Sequence, residues 1–161
     1  MIVQFKKILF ATDLSENSSY AFLFALDMAR RHEAKIVIIH VIEPLPREVR
    51  FVNVLKEVEE KERREMIGKI QEHLQEFCKE IEGQVGSPCV EVISEVLVPQ
   101  GNPAEEILNA VDREGCDATV LGTHGKGFLT HTFLGSVSIA VLQRTQKPVF
   151  VVPLSSKKTN V

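Results

Sequence analysis

The chain has no tryptophan, one tyrosine and three cysteines in 161 residues, and 19 lysines and arginines stand against 22 aspartates and glutamates. Each shortage removes a class of function. Without a basic surplus there is little to neutralise a phosphodiester backbone, and most base-stacking platforms are missing, so nucleic acid is not expected as a partner. Cys78, Cys89 and Cys116 are too few and too widely spaced for a disulfide framework, and no C-x-x-C pair points to zinc or a redox dithiol. The expectation is a reducing, cytoplasmic setting in which each cysteine is a small buried filler, with Cys116, near a turn, the best candidate for reaction with oxidants. No apolar run approaches a membrane span, and Ile8 to Ala11, behind Lys6-Lys7, is stopped by Thr12 and Asp13 before it could form a signal-peptide core. No membrane association is expected.

What is present is an alternation of short apolar runs with longer helical patterns, the mark of a parallel sheet covered by helices. Strands are predicted at Lys7–Ala11, Lys35–Ile42, Glu91–Val98, Ala118–Gly122 and Pro148–Val152. The first helix runs from about Ser15 to about His32. The second shows Ile67, Ile70, Leu74, Phe77 and Ile81 at helical spacing, and its charged run Lys56 to Glu65 reads as a solvated face. Asn102 as cap, Pro103 at the first helical position and Glu105 three beyond the cap fix the start of the third helix, which ends near Gly115. The fourth begins around Leu134 or Gly135 and reaches about Thr145, before Lys147-Pro148. Glu43 to Asn53 and Gly83 to Pro88 read as surface connections. Residues 1–154 thus form one α/β domain, a doubly wound five-stranded parallel sheet with helices on both faces, and 155–161 a polar tail.

In such a sheet ligands sit where the carboxyl ends of neighbouring strands diverge. The positions that matter most are therefore Ala11-Thr12-Asp13, Val41-Ile42 and the segment after Leu121. There the sequence Gly122-Thr123-His124-Gly125-Lys126-Gly127 leads towards Gly135-Ser136 at a helix start. Glycines let backbone N–H groups approach an anion, and the helix N-terminus adds unpaired donors, so a phosphate chain is the fitting guest. Ser136 would offer its hydroxyl and N–H, and Lys126 or His124 charge at the rim. The loop is neither a Walker A sequence nor a dinucleotide G-x-G-x-x-G. The plainer reading is that Gly122 and Gly125 close a turn and Gly135 eases helix packing. Asp13 can accept bonds from ribose hydroxyls or hold a magnesium ion bridging phosphates; its plainer role is a carboxylate at a helix N-terminus.

Together these residues resemble the universal stress protein family, in its ATP-binding subgroup. The resemblance rests on Lys6 to Ser15, on His40-Val41, on Gly101-Asn102-Pro103-Ala104-Glu105-Glu106-Ile107, on the glycine loop and on Lys147 to Val152. The family's nucleotide signature, G, two residues, G, nine residues, then G with Ser or Thr, is met by Gly122, Gly125 and Gly135-Ser136. The resemblance implies a Rossmann-like sheet of order 3-2-1-4-5 and ATP with Mg²⁺ or Mn²⁺ as ligand. It implies that Asp13 contacts ribose or metal-phosphate, that backbone groups at Val41 receive the adenine edge, and that Gly122, Gly125, Gly135 and Ser136 cradle the phosphates. Ala11, Thr12, Thr123, His124, Lys126 and Val137 would line the site. It also implies a homodimer paired through the last strand, Pro148, Val149, Phe150, Val151 and Val152, with its protein partner left open.

The function expected is a cytoplasmic, nucleotide-dependent stress-response module, with the Glu43 to Asn53 loop as the part that moves. Other readings are a dimeric scaffold that binds no nucleotide, a slow ATPase, or a nucleotidyl transferase. Against the transferase, Thr12-Asp13-Leu14-Ser15 stands where an H-x-G-H would follow the first strand. Against acyl transfer by Ser136, His124 and Asp13, no G-x-S-x-G elbow is present. No residue presents itself as a water-positioning base for hydrolysis. His124 and His131, seven apart, make no metal pair.

Overall fold

The computed structural model describes residues 2–44, 54–85, 89–123 and 135–153. Its elements in chain order are β1 (Lys7–Ala11), α1 (Glu16–His32), β2 (Lys35–Ile39), α2 (Val54–Val85), a short 3₁₀ turn (Val90–Val92), β3 (Ile93–Leu97), α3 (Pro103–Glu114), β4 (Ala118–Gly122), α4 (Ser136–Arg144) and β5 (Val149–Val152). The strands form one parallel sheet in the order β3-β2-β1-β4-β5. β1 therefore lies at the centre, and Ile8, Leu9 and Phe10 are almost wholly buried.

Successive side chains of a strand point to opposite faces, and the core divides accordingly. Ile8, Phe10, Ile36, Ile38 and Val120 pack with Phe22, Ala25 and Ala29 of α1 and with Ile70 and Cys78 of α2. Leu9, Val37, Ile39 and Leu121 pack on the other face with Ile107, Ala110 and Val111 of α3 and Val141 of α4. That double cover explains the unbroken apolar runs Ile8-Leu9-Phe10 of β1 and Ile36-Val37-Ile38-Ile39 of β2, in which both faces are covered.

Helix boundaries follow local chemistry. Ser15 Oγ accepts the Ser18 amide at the start of α1, and Asn102 Oδ1 accepts the Glu105 amide at the start of α3, with Pro103 just inside. Gly115 closes α3 at φ 66°, a left-handed position that glycine takes without a Cβ penalty. The charged stretch Lys56 to Glu65 is exposed except for half-buried Glu59.

Several sequence expectations change. β2 ends at Ile39 rather than Ile42, with one isolated bridge between Ile42 and Gln100, and β3 starts at Ile93 because Val90–Val92 winds into a 3₁₀ turn. β5 starts at Val149, although the Pro148 carbonyl still accepts the Thr119 amide. Gly83, expected in a connection, lies in the last turn and a half of α2; residues 45–53, 86–88 and the tail from 154 lie outside the described residues.

The cysteines also depart from expectation. Cys78 of α2 and Cys89, just before the 3₁₀ turn, are joined as a disulfide with Cα atoms 5.2 Å apart. A pairing across a connection between consecutive elements carries no signature in cysteine count or spacing. Cys116 is the free thiol; it is buried, as expected of a small filler, and burial pushes its pKa up to about 11, which disfavours the thiolate.

One carboxylate fastens the amino-terminal end of β1. Asp117 Oδ2 accepts the Lys6 amide at 2.7 Å and the Lys7 amide at 3.0 Å. The Lys6 bond is the main cause that holds the carboxyl below its ordinary 3.8; burial opposes it, and the Lys7 amide and the charges of Lys147 and Lys6 reinforce it. A lowered folded value means stabilisation that is complete above 3.8 and disappears as pH falls through the folded value. Asp117→Asn should therefore cost about 1 kcal/mol near neutral pH, discounted for exposure. Urea melts at several pH values should show the gap to wild type closing in acid, and a gap that is independent of pH would refute the assignment.

Candidate functional site

β1 and β4 stay paired from Ile8↔Ala118 to Phe10↔Val120. Beyond that rung β1 leads into α1, which covers one face, and β4 leads towards α4, which covers the other. The carboxyl ends of the two central strands separate there, leaving a crevice between Ala11–Asp13 and Gly122–Thr123.

The wall that continues from β1 is tied into a knot. Asp13 Oδ1 accepts the Ser15 amide at 3.0 Å and the Ser18 hydroxyl at 2.7 Å, while the Ser18 hydroxyl accepts the Asp13 amide at 3.1 Å. Thr12 Oγ1 accepts the Leu14 amide at 3.0 Å. These bonds hold Leu14 at φ 66°, a left-handed conformation that costs a leucine of order 1 kcal/mol and is kept only where the surroundings impose it. Asp13 thus performs the plainer of its two expected roles, a carboxylate at a helix N-terminus favoured by the dipole. A carboxylate can accept roughly four hydrogen bonds, so this role does not by itself preclude the other.

The end of β2 is fastened to the same knot. The Thr12 amide donates to the Ile39 carbonyl at 2.9 Å, and His40 Nδ1 donates to the Thr12 carbonyl at 2.9 Å. On the β3 side the His40 and Ile42 amides donate to the carbonyls of Leu97 and Pro99, and the Gly101 amide donates back to Ile42. By strand alternation, Val41 turns its N–H and C=O to the same side as Ile39, towards β1, at a level where β1 has already turned away.

The third wall continues from β4. The Thr123 amide donates to the Val152 carbonyl, the Thr123 carbonyl accepts the Gly135 amide, and Ser138 Oγ donates to the Gly122 carbonyl at 2.7 Å. Thr123 and Ser138 are buried. Gly135 caps α4 with no side chain to cover the first-turn amides, exposed Ser136 comes next, and Arg144 stands in the last turn. First-turn amides have no acceptor within their own helix, and α4 starts directly after Gly135, whose amide is bonded to the Thr123 carbonyl at the end of β4.

The structure brings together Ala11, Val41 and Val137, which are half-buried against the α3/α4-side core. Thr12, Asp13, Gly122, Thr123, Gly135 and Ser136 stand at the ends of the elements around them. His124, Gly125 and Lys126 lie outside the described residues. Among the described residues no three His, Cys, Asp or Glu side chains gather to hold a metal ion, so a cation here would need oxygens from its ligand as well as Asp13. Of the last strand, Pro148 and Phe150 are exposed and Val152 is buried.

Sequence reasoning missed His40, Ser18 and Ser138 as parts of the site's frame. Ser18 had a signal, since it lies three residues beyond the cap at Ser15. For His40 and Ser138 the partner is a backbone carbonyl on another element, which no local spacing encodes.

A family model described as the universal stress protein family matches residues 4–153. The universal stress protein MJ0577 of Methanocaldococcus jannaschii is 31% identical over 162 residues, with 94% of this chain and 97% of that protein covered. The solved structure of MJ0577 superposes with a TM-score of 0.69 at 29% identity, covering 96% of this chain and 99% of that one. Two further structures share the fold. A universal stress protein in complex with cAMP has a TM-score of 0.60 at 23% identity over 93% of this chain and 98% of that one. The Archaeoglobus fulgidus universal stress protein in complex with dAMP has 0.57 at 22% over 93% and 99%.

The knot around Asp13 predicts a cost without any ligand. Asp13→Ala leaves the Ser15 amide and the Ser18 hydroxyl without their acceptor and should lower unfolding stability by about 1–2 kcal/mol. Urea denaturation of protein freed of small molecules measures this, and an unchanged midpoint would mean that the carboxylate does not hold the turn.

Proposed function

The chain belongs to the universal stress protein family, and from that membership and the form of the crevice we propose that it is an adenine-nucleotide-binding module that takes ATP with Mg²⁺ or Mn²⁺. One observation carries the reading most directly. Ala11, Val41 and Val137 are half-buried on the same core face, and Val137 lies in the first turn of α4 behind the glycine cap Gly135, so an apolar surface for a flat base adjoins a helix start that suits an anion. The glycine spacing Gly122, Gly125, Gly135-Ser136 supports it, as do the relatives whose structures hold cAMP and dAMP.

In this reading the backbone of Val41 meets the adenine edge, Asp13 meets the ribose or a cation on the phosphates, and the amides of Ser136 and Val137 meet the phosphate chain. Thr12, Thr123, His124 and Lys126 line the remainder. The site binds rather than reacts, and the protein acts in the cytoplasm by holding a different conformation or partner when nucleotide is bound, to the extent that affinities for the two states differ.

The two edges of the sheet differ in a way that supports dimerisation through β5. The β3 edge carries Glu95 and a register shift between Ile36 and Val37, both of which discourage pairing. The β5 edge is Val149-Phe150-Val151-Val152, without a charge and with Phe150 45% exposed. A homodimer that joins two β5 edges would bury that phenylalanine.

Titration calorimetry with ATP and Mg²⁺ should give saturable binding by the wild type. Gly125→Val should weaken it at least about tenfold by placing a side chain where the phosphates approach, with circular dichroism unchanged. Retained affinity in that variant would refute the phosphate assignment, and a wild type that ATP cannot fill would favour the scaffold. Phe150→Lys should convert a dimer to a monomer in analytical ultracentrifugation, and an unaffected dimer would move the interface elsewhere.

A further inference from the structure

Helix α2 is 32 residues long, yet among its residues whose side chains are described only Ile70 and Cys78 are fully buried. The rest of its docking stripe, Ile67, Leu74, Phe77 and Ile81, is half-buried against the α1-side core. Helices in water draw most of their stability from such packing, so a helix this long with so few buried anchors is held lightly. One of its two deep anchors is half of the Cys78–Cys89 bond.

The bond is placed to act as a clasp. It joins the carboxyl-terminal part of α2 to the approach to the edge strand β3 across a sequence separation of 11. Both cysteines are fully buried, but Lys79 and Glu80 after the first and Val90 and Glu91 after the second are exposed. The two buried sulfurs thus belong to residues whose next neighbours in the chain are already at the surface. On its inner side the helix meets α1 and β1 through rings, with Phe77 edge-on to Phe22 at 5.5 Å and Phe22 on Phe10 of β1 at 5.2 Å. Phe10, Phe22, Leu74 and Phe77 also line one hollow with Thr12 and Ser18, beneath the turn after β1.

We propose that Cys78–Cys89 is a redox-exchangeable clasp, and that its reduction by a dithiol releases the carboxyl-terminal half of α2 while the sheet stays folded. In the exchange a thiolate of the dithiol attacks Cys89 Sγ, the Cys78–Cys89 bond breaks, and Cys78 leaves as a thiolate that takes up a proton. The reagent's second thiol then closes its own disulfide and frees Cys89 as a thiol, so two electrons and two protons pass to the protein. Cys116, buried under α3 and β4 in the other core, takes no part. The clasp is independent of whether the crevice binds nucleotide.

Hydrogen exchange by mass spectrometry on the full wild-type chain tests this, with the oxidised form compared with the same sample after dithiothreitol and after return to oxidised glutathione. Amides in residues 70–85 should exchange at least about tenfold faster when reduced, two thiols should become open to maleimide, and both changes should reverse on reoxidation. Amides of β1 and β4 should keep their protection. Cys78→Ala combined with Cys89→Ala should behave as the permanently reduced form. Equal exchange in both redox states would overturn the proposal. So would loss of β1 and β4 protection together with α2, which would make the bond a staple of the whole fold, or failure of the bond to re-form under oxidised glutathione.

Discussion

Everything distinctive about this molecule depends on the burial of β1 on both faces between two parallel neighbours. Ile8, Leu9 and Phe10 have no exposed side, so the strand must be flanked by β2 and β4 and roofed by helices above and below. A parallel neighbour can only be reached by a crossover, and the crossovers from β1 and β4 run over opposite faces. The crevice is a consequence of that necessity. No residue has to be spent on opening it, because the two chains separate of their own accord after Phe10 and Val120.

The residues at the rim add stiffness around the opening. Asp13, Ser15 and Ser18 lock the turn after β1, His40 ties the end of β2 to Thr12, and Ser138 ties α4 to Gly122. The His40 and Ser138 bonds each join one element to the end of another and satisfy a carbonyl there, while the Asp13 carboxylate satisfies the Ser15 amide and is itself held by the Ser18 hydroxyl. A left-handed leucine survives in the middle of this frame because three side chains determine its neighbours. Among the described residues the rim is thus held by side-chain bonds from three directions.

The sequence was legible wherever structure is set by neighbours in the chain. The start of α3 could be fixed from Asn102 and Pro103 and its end placed near Gly115, since cap, ring and left-handed glycine act within one turn. The sheet order was implied by family resemblance, and five apolar runs were enough for its class. Legibility ended where a partner is distant. β2 stops at Ile39 because its neighbour turns away, not because the apolar run ends, and Cys78 finds Cys89 only through the docking angle of α2. His40 entered the sequence reading only through the resemblance and Ser138 not at all, because the carbonyls they bond, of Thr12 and Gly122, lie on other elements.

The hydrogen bond from the Gly135 amide to the Thr123 carbonyl has a bearing on how such a chain can diversify. It closes the circuit from β4 to α4 at its base, so the frame around the crevice is complete without reference to the eleven positions between, 124–134. Loop-closure entropy rises only with the logarithm of length. Segments of other lengths and compositions could therefore be spliced between those two residues at small cost to the fold. That stretch could be exchanged as a cassette while the architecture around it is inherited unchanged.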